Sequence, residues 1–150
     1  MKQSTYSAIT GDSTHTPSTP KYMKKLASHV AAWRLAMGLP NEGRAALDWR
    51  DVRQDWGTIQ EELDELHDSD QEVDEMDAIL DILFATLSYA TRRYTPAQIG
   101  ECWDAVCAAN ARKADGPIIK GKKRKPEGWV GPEAEIAAVL SQSSDPAPQP

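Results

Sequence analysis

The chain has 150 residues, a formal net charge of −6 and two cysteines, Cys102 and Cys107. That length suits one domain with its own core and is short for two, and two cysteines without further paired spacing point away from a disulfide framework or a thiolate zinc site. The longest apolar stretches, Ala78 to Leu80 and Ile82 to Ala85, are split by Asp81, and no secretion-type segment follows Met1, so a soluble, cytoplasmic protein without a membrane partner is expected.

Residues 1 to 19 are rich in Ser, Thr, Pro and Gly with little to bury, and residues 141 to 150 share that character. Both are predicted to be disordered tails around one helical domain of residues 20 to 140. After Pro20, the positions of Leu26, Val30, Trp33, Leu35 and Met37 predict a first helix, stopped by Gly38-Leu39-Pro40. A second helix is expected from about Trp49 to His67 and a third from about Glu72 to Arg93. A fourth should run from Pro96 to about Arg112, with Thr95 as its cap. Residues 113 to 132 are polar and punctuated by Gly and Pro, so they read as irregular; Glu133 to Leu140 reads as a short last helix. No strand pattern and no solenoid repeat is evident.

The expected fold is therefore all-α, a helical bundle with the third helix central, because that helix is apolar on nearly every side. Such a helix needs more neighbours than one short chain supplies, so a homo-oligomer, a dimer or a tetramer, is expected.

Charge is unevenly distributed. Residues 61 to 81 hold eleven carboxylates and no Lys or Arg, whereas residues 112 to 125 hold seven Lys or Arg against Asp115. One segment suits cations and the other anions, as a metal–polyphosphate complex requires.

On a helix, Glu65 and Glu62 fall about 40° and about 100° from Glu61, and Asp68 about 20° to its other side. Asp77, Asp81 and Asp74 share a face of the next helix in the same way. Asp81 stands among Ile79, Leu80, Ile82, Leu83, Phe84 and Leu87, so the pattern predicts a buried carboxylate that needs a cation or strong hydrogen bonds. Clustered carboxylates raise one another's pKa unless a multivalent cation neutralises them, and Mg²⁺ or Mn²⁺ favour such oxygen ligands. The competing reading is a solvated acidic face, with Asp81 in an ordinary ion pair. His67 has no partner at a zinc-like spacing.

Asn110, Lys113, Lys120, Lys122, Lys123, Arg124 and Lys125 follow, with Trp129 behind them. Lysines can neutralise phosphates, an amide can hydrogen-bond to one, and an aromatic ring can stack on a base. A basic tail or a nucleic-acid patch is the alternative; the acidic cluster argues against nucleic acid. Trp33, Trp49, Trp56 and Trp103 are further stacking candidates, although Trp on a helix more commonly belongs to a core.

Glu61-Glu62-Leu63-Asp64-Glu65-Leu66 resembles the EExxEL signature of the MazG-like, all-α nucleoside triphosphate (NTP) pyrophosphohydrolases, and the likeness extends over roughly residues 26 to 132. His29 to Pro40 is similar to the first-helix pattern of the phage-type branch, and Asp77 to Phe84 to its DALADxLY segment. Asn110-Ala111-Arg112-Lys113 and the stretch from Gly121-Lys122 to Pro132 resemble its NxxK and GKxxKPxGWxxP ending. One departure stands out: the usual ExxD motif would place a Glu three residues before Asp81, where this chain has Ala78, so Asp77, or Asp74 with Asp77, must substitute.

The resemblance implies that Glu62, Glu65, Asp77 and Asp81, with Glu61 beside them, hold Mg²⁺, for which Mn²⁺ can substitute. Asn110 and Lys113 would contact the substrate phosphates, with Lys122, Lys125 and Trp129 also on the substrate. It implies intersubunit helix packing and, for a phage-encoded chain, the host cytoplasm. The chemistry then expected is cleavage of an NTP or dNTP to the monophosphate and pyrophosphate, with Glu61 or Glu62 accepting a proton from water. Lys113 and the lysines of 120 to 125 would stabilise the phosphate charge. A dGTP/GTP-selective phage branch, the MazZ type, is the leading specific resemblance. The alternatives are a related enzyme acting on phosphoribosyl-ATP or another pyrophosphate, and a non-catalytic module binding nucleic acid or a partner through residues 112 to 125.

Overall fold

Proline starts, polar caps and glycine stops fix most element boundaries in the computed structural model, which describes residues 20 to 39, 41 and 48 to 142. Helix α1 (Pro20–Ala36) ends just before Gly38, whose φ is +73°. Helix α2 (Trp49–Asp68) is capped by Asp48, whose side chain accepts from the Arg50 amide at 3.2 Å. Helix α3 (Glu72–Arg93) carries Glu72, Asp74 and Glu75 in its first turn and Arg92 and Arg93 in its last, the arrangement a helix dipole favours. Helix α4 (Pro96–Ala111) opens with a reciprocal capping box. The Gln98 amide donates to Thr95 Oγ1 at 3.2 Å, and Gln98 Oε1 accepts from the Thr95 amide at 3.0 Å.

After α4 the chain tightens into a 3₁₀ turn (Arg112–Asp115) and then forms a minimal antiparallel pair, β1 (Ile118–Ile119) with β2 (Lys122–Lys123). This corrects the expectation of an irregular segment. Lys120 and Gly121 both have positive φ, 51° and 73°, the geometry of a tight hairpin turn that glycine allows cheaply. At Gly116 the backbone leaves no room for a side chain, because an added Cβ would overlap the Arg124 carbonyl. Helix α5 (Glu133–Ser141) is the short last helix and takes in Ser141, one residue beyond its expected end. The expected tails otherwise lie outside the described residues, apart from Gln142. The protein is thus predominantly helical, and among the described residues no helix is long and apolar enough to cross a membrane.

The described residues divide into two compact units, residues 23 to 99 and residues 100 to 142 with 20 to 22. In the first, α2 and α3 form the main contact, an antiparallel hairpin turned at Ser69 to Gln71. An ion pair, Arg92 Nη1 to Asp55 Oδ2 at 3.1 Å, ties the late part of α3 to the early part of α2. Helix α1 lies on α3 through a core of Ala27, Val30 and Leu87, flanked by Met23 and Ile99. Arg34 Nη1 donates to Ser88 Oγ at 3.0 Å, and Trp33 meets Phe84 edge to face at 4.9 Å.

Helix α3 is not buried on most sides. Ala78, Leu87 and Thr91 are buried, while Val73, Met76, Ile79, Leu80, Leu83 and Phe84 are exposed. Helices α1 and α2 cover one flank of α3, and its remaining apolar surface faces outward. The helical tryptophans Trp33, Trp49, Trp56 and Trp103 are likewise exposed, with Trp49 set edge to face against Trp56 at 5.2 Å.

Candidate metal centre and basic segment

The acidic candidates all belong to the α2–α3 hairpin. Helical spacing puts Glu61, Glu62 and Glu65 on adjoining faces of α2, and Asp77 and Asp81 one turn apart on α3. Glu62 is half-buried; Glu61, Glu65, Asp77 and Asp81 are exposed. Exposure of Asp81 corrects the expectation of a buried carboxylate, for the same reason that α3 shows its apolar side: the neighbours that would cover it are not supplied by residues 23 to 99. Asp64 turns aside to accept from Gln60 Nε2 at 2.9 Å, and Asp68, Asp74 and His67 are exposed.

Glu62 is where these charges meet. Its carboxyl is held above the ordinary carboxylate value, first by desolvation and then by the charges of Glu65, Asp81, Glu61 and Asp77. Two helices therefore direct the field of four carboxylates onto a fifth. A divalent cation would relieve that repulsion, and an all-carboxylate donor set suits a hard ion such as Mg²⁺ or Mn²⁺. Among the described residues, no three His, Cys, Asp or Glu side chains are gathered closely enough to hold an ion. The donor chemistry fits the metal, whereas the side chains lie apart.

Ala78, between Asp77 and Asp81, is 4% exposed. The position where the resemblance would put a glutamate is thus filled by a packed methyl group, and the flanking aspartates point elsewhere on the helix.

The basic candidates belong to the other unit. Lys113 Nζ donates to Asn110 Oδ1 at 2.6 Å, which leaves the Asn110 amide nitrogen able to donate to an anion. Lys113 and Lys125 both lie over the Trp129 ring, with their ammonium nitrogens 5.3 and 4.1 Å from its centroid. The indole Nε1 donates to the Ala109 carbonyl at 2.9 Å. Asn110, Lys113, Lys125 and Trp129 are therefore one cluster. Lys122 stands exposed on β2, and Lys123 is turned back to the Gly116 carbonyl at 2.7 Å.

Sequence reasoning missed Arg112, which donates to the Val130 carbonyl at 3.2 Å and reaches Glu135 at 3.6 Å, tying the segment before α5 to the end of α4. No local signal marks a contact across so many residues. No protein-family model matches this chain, and no curated protein matches it in sequence.

Proposed function

We propose that this chain is a Mg²⁺-dependent nucleoside triphosphate pyrophosphohydrolase of the MazG-like, all-α kind, converting an NTP or dNTP and water to the monophosphate and pyrophosphate. The observation that carries the reading is that Glu61, Glu65, Asp77 and Asp81, on the two helices of the α2–α3 hairpin, all act electrostatically on half-buried Glu62 and raise its carboxyl.

Glu62, Glu65, Asp77 and Asp81 are the metal ligands in this reading. Bound Mg²⁺ supplies charge neutralisation on the triphosphate and the leaving pyrophosphate. Glu61, beside the ligand Glu62, is the group that accepts a proton from the attacking water, and Glu62 is the alternative base where the metal uses only one of the two adjacent glutamates. Asn110 offers an amide N–H to a phosphate oxygen, and Lys113, Lys122 and Lys125 offset the charge there. The uncovered apolar side of α3 supports a homo-oligomeric working form, since exposed apolar patches mark association surfaces.

The test is incubation with each NTP and dNTP, guanine nucleotides first, in Mg²⁺, in Mn²⁺ and in EDTA, with products separated by ion exchange. The expected result is monophosphate and pyrophosphate without diphosphate, abolished by EDTA. No turnover of any nucleotide, together with salt-sensitive binding to RNA or DNA, would replace the enzyme with a binding module acting through residues 112 to 125.

A further inference from the structure

We infer that Trp129 is a positioning residue for cations: its indole fixes Lys113 and Lys125 for the substrate phosphates and is not a platform for the base. The inference rests on the proposed function in taking the anion to be a polyphosphate.

Three contacts carry it. The Lys125 ammonium lies 4.1 Å from the ring centroid, where a stacked base would have to lie, so a base could stack on that face only by evicting the cation. The Nε1–H bond to the Ala109 carbonyl anchors the ring to the last turn of α4, beside Asn110. The Asn110 side chain in turn holds Lys113, the second cation over the ring.

The lysines come from opposite ends of the segment, one after α4 and one after β2. Two ammonium groups brought to one place repel, and the electron-rich face of an indole is a neutral group that attracts both. The outcome is two cations held at one ring, which suits the charged oxygens of a phosphoanhydride better than the flat surface of a base.

The test is calorimetric titration of the full chain, without metal and at fixed low salt, with inorganic tripolyphosphate. Trp129→Leu should weaken binding about tenfold, the scale of the lost cation–π contacts. Lys125→Met should weaken it similarly, and the double variant should be weaker than either single one but by less than the product of the two effects, because the ring holds Lys113 as well as Lys125. Trp129→Phe keeps a ring face and should stay within about threefold of the parent. The ε-methylene protons of Lys125 should show an upfield ring-current shift in the parent and lose it in Trp129→Leu, a signature that a merely structural role does not require.

If Trp129→Leu binds tripolyphosphate as the parent does and loses affinity only for a nucleotide, the ring is a base platform and the inference falls while the enzyme reading stands. Additive effects in the double variant overturn the inference in the same way. If Trp129→Leu does not fold, an unweakened Lys125→Met overturns it. A parent chain that binds no tripolyphosphate overturns the phosphate assignment and the inference with it.

Discussion

Placing a glutamate at position 78 tests packing and metal chemistry with one substitution. Ala78 is 4% exposed and lies in the chain between Asp77 and Asp81, two of the carboxylates that raise the Glu62 carboxyl. Ala78→Glu adds a carboxyethyl group where a methyl fills the space. Overpacking alone costs about 1–3 kcal/mol, and burying the polar carboxyl adds roughly 1–3 kcal/mol. The sum, about 2–6 kcal/mol, corresponds to a fall in Tm of about 6–18 °C at roughly 3 °C per kcal/mol for a chain of this size.

Far-UV circular dichroism melts in EDTA at neutral pH measure that fall. In Mg²⁺ the new carboxylate has a cation to meet, and saturation to about 100 times Kd would return about 2.7 kcal/mol, or roughly 8 °C. Ala78→Leu should show the loss from overpacking with no recovery beyond that of the parent. An Ala78→Glu chain that melts with the parent in EDTA would refute the packing. One that falls but gains no more from Mg²⁺ or Mn²⁺ than Ala78→Leu does would refute a metal site beside Ala78.

Asp81→Asn and Glu65→Gln should each abolish nucleotide turnover, measured by ion-exchange product analysis, while the helical circular dichroism is preserved; full activity in either variant removes that residue from the site. Glu62→Gln should raise the Tm of the metal-free chain near neutral pH. The raised pKa of Glu62 means that its contribution is favourable at acid pH and is lost as pH rises through the folded-state value. A Tm-against-pH profile in EDTA should therefore be flatter for the variant, and an unchanged profile would show that the carboxylates do not couple. Asp55→Ala removes the carboxylate that pairs with Arg92 at 3.1 Å on a partly buried surface, and urea unfolding should register a loss of about 1–3 kcal/mol.

Most helix boundaries were legible because their signals are local. Glu72 and Arg93 bound α3 as read, since acidic residues start it and arginines end it, and Thr95 caps α4 as expected. The hairpin after α4 was missed because two-residue strands have no period to detect; Lys120-Gly121 between two isoleucines and two lysines was the available signal. The exposure of α3 was misjudged for a different reason. Periodicity shows that Ile79, Leu83 and Phe84 need an apolar neighbour, but not whether that neighbour belongs to the same molecule.

The candidate site was legible to a similar depth. The placement of Glu61, Glu62, Glu65, Asp77 and Asp81 on one hairpin follows from helical spacing and a short turn. Burial of Ala78 between two of them is a matter of tertiary packing, which spacing alone does not give. The Trp129 bond to Ala109 and the Arg112 bond to Val130 join residues far apart in sequence, so no window of the chain announces them.

The lysines of the basic segment also differ in conformational freedom. Lys113, Lys123 and Lys125 already have partners in Asn110, Gly116 and Trp129. An immobilised lysine forgoes up to about 2 kcal/mol of side-chain entropy. For these three, much of that ordering belongs to folding, so an arriving anion meets cations that are already still. Lys120 and Lys122, at the hairpin tip and on β2, would have to be ordered by the anion itself. Identical side chains within a few residues of one another thus offer the same charge at different entropic cost, and the ordered ones should contribute more affinity per charge.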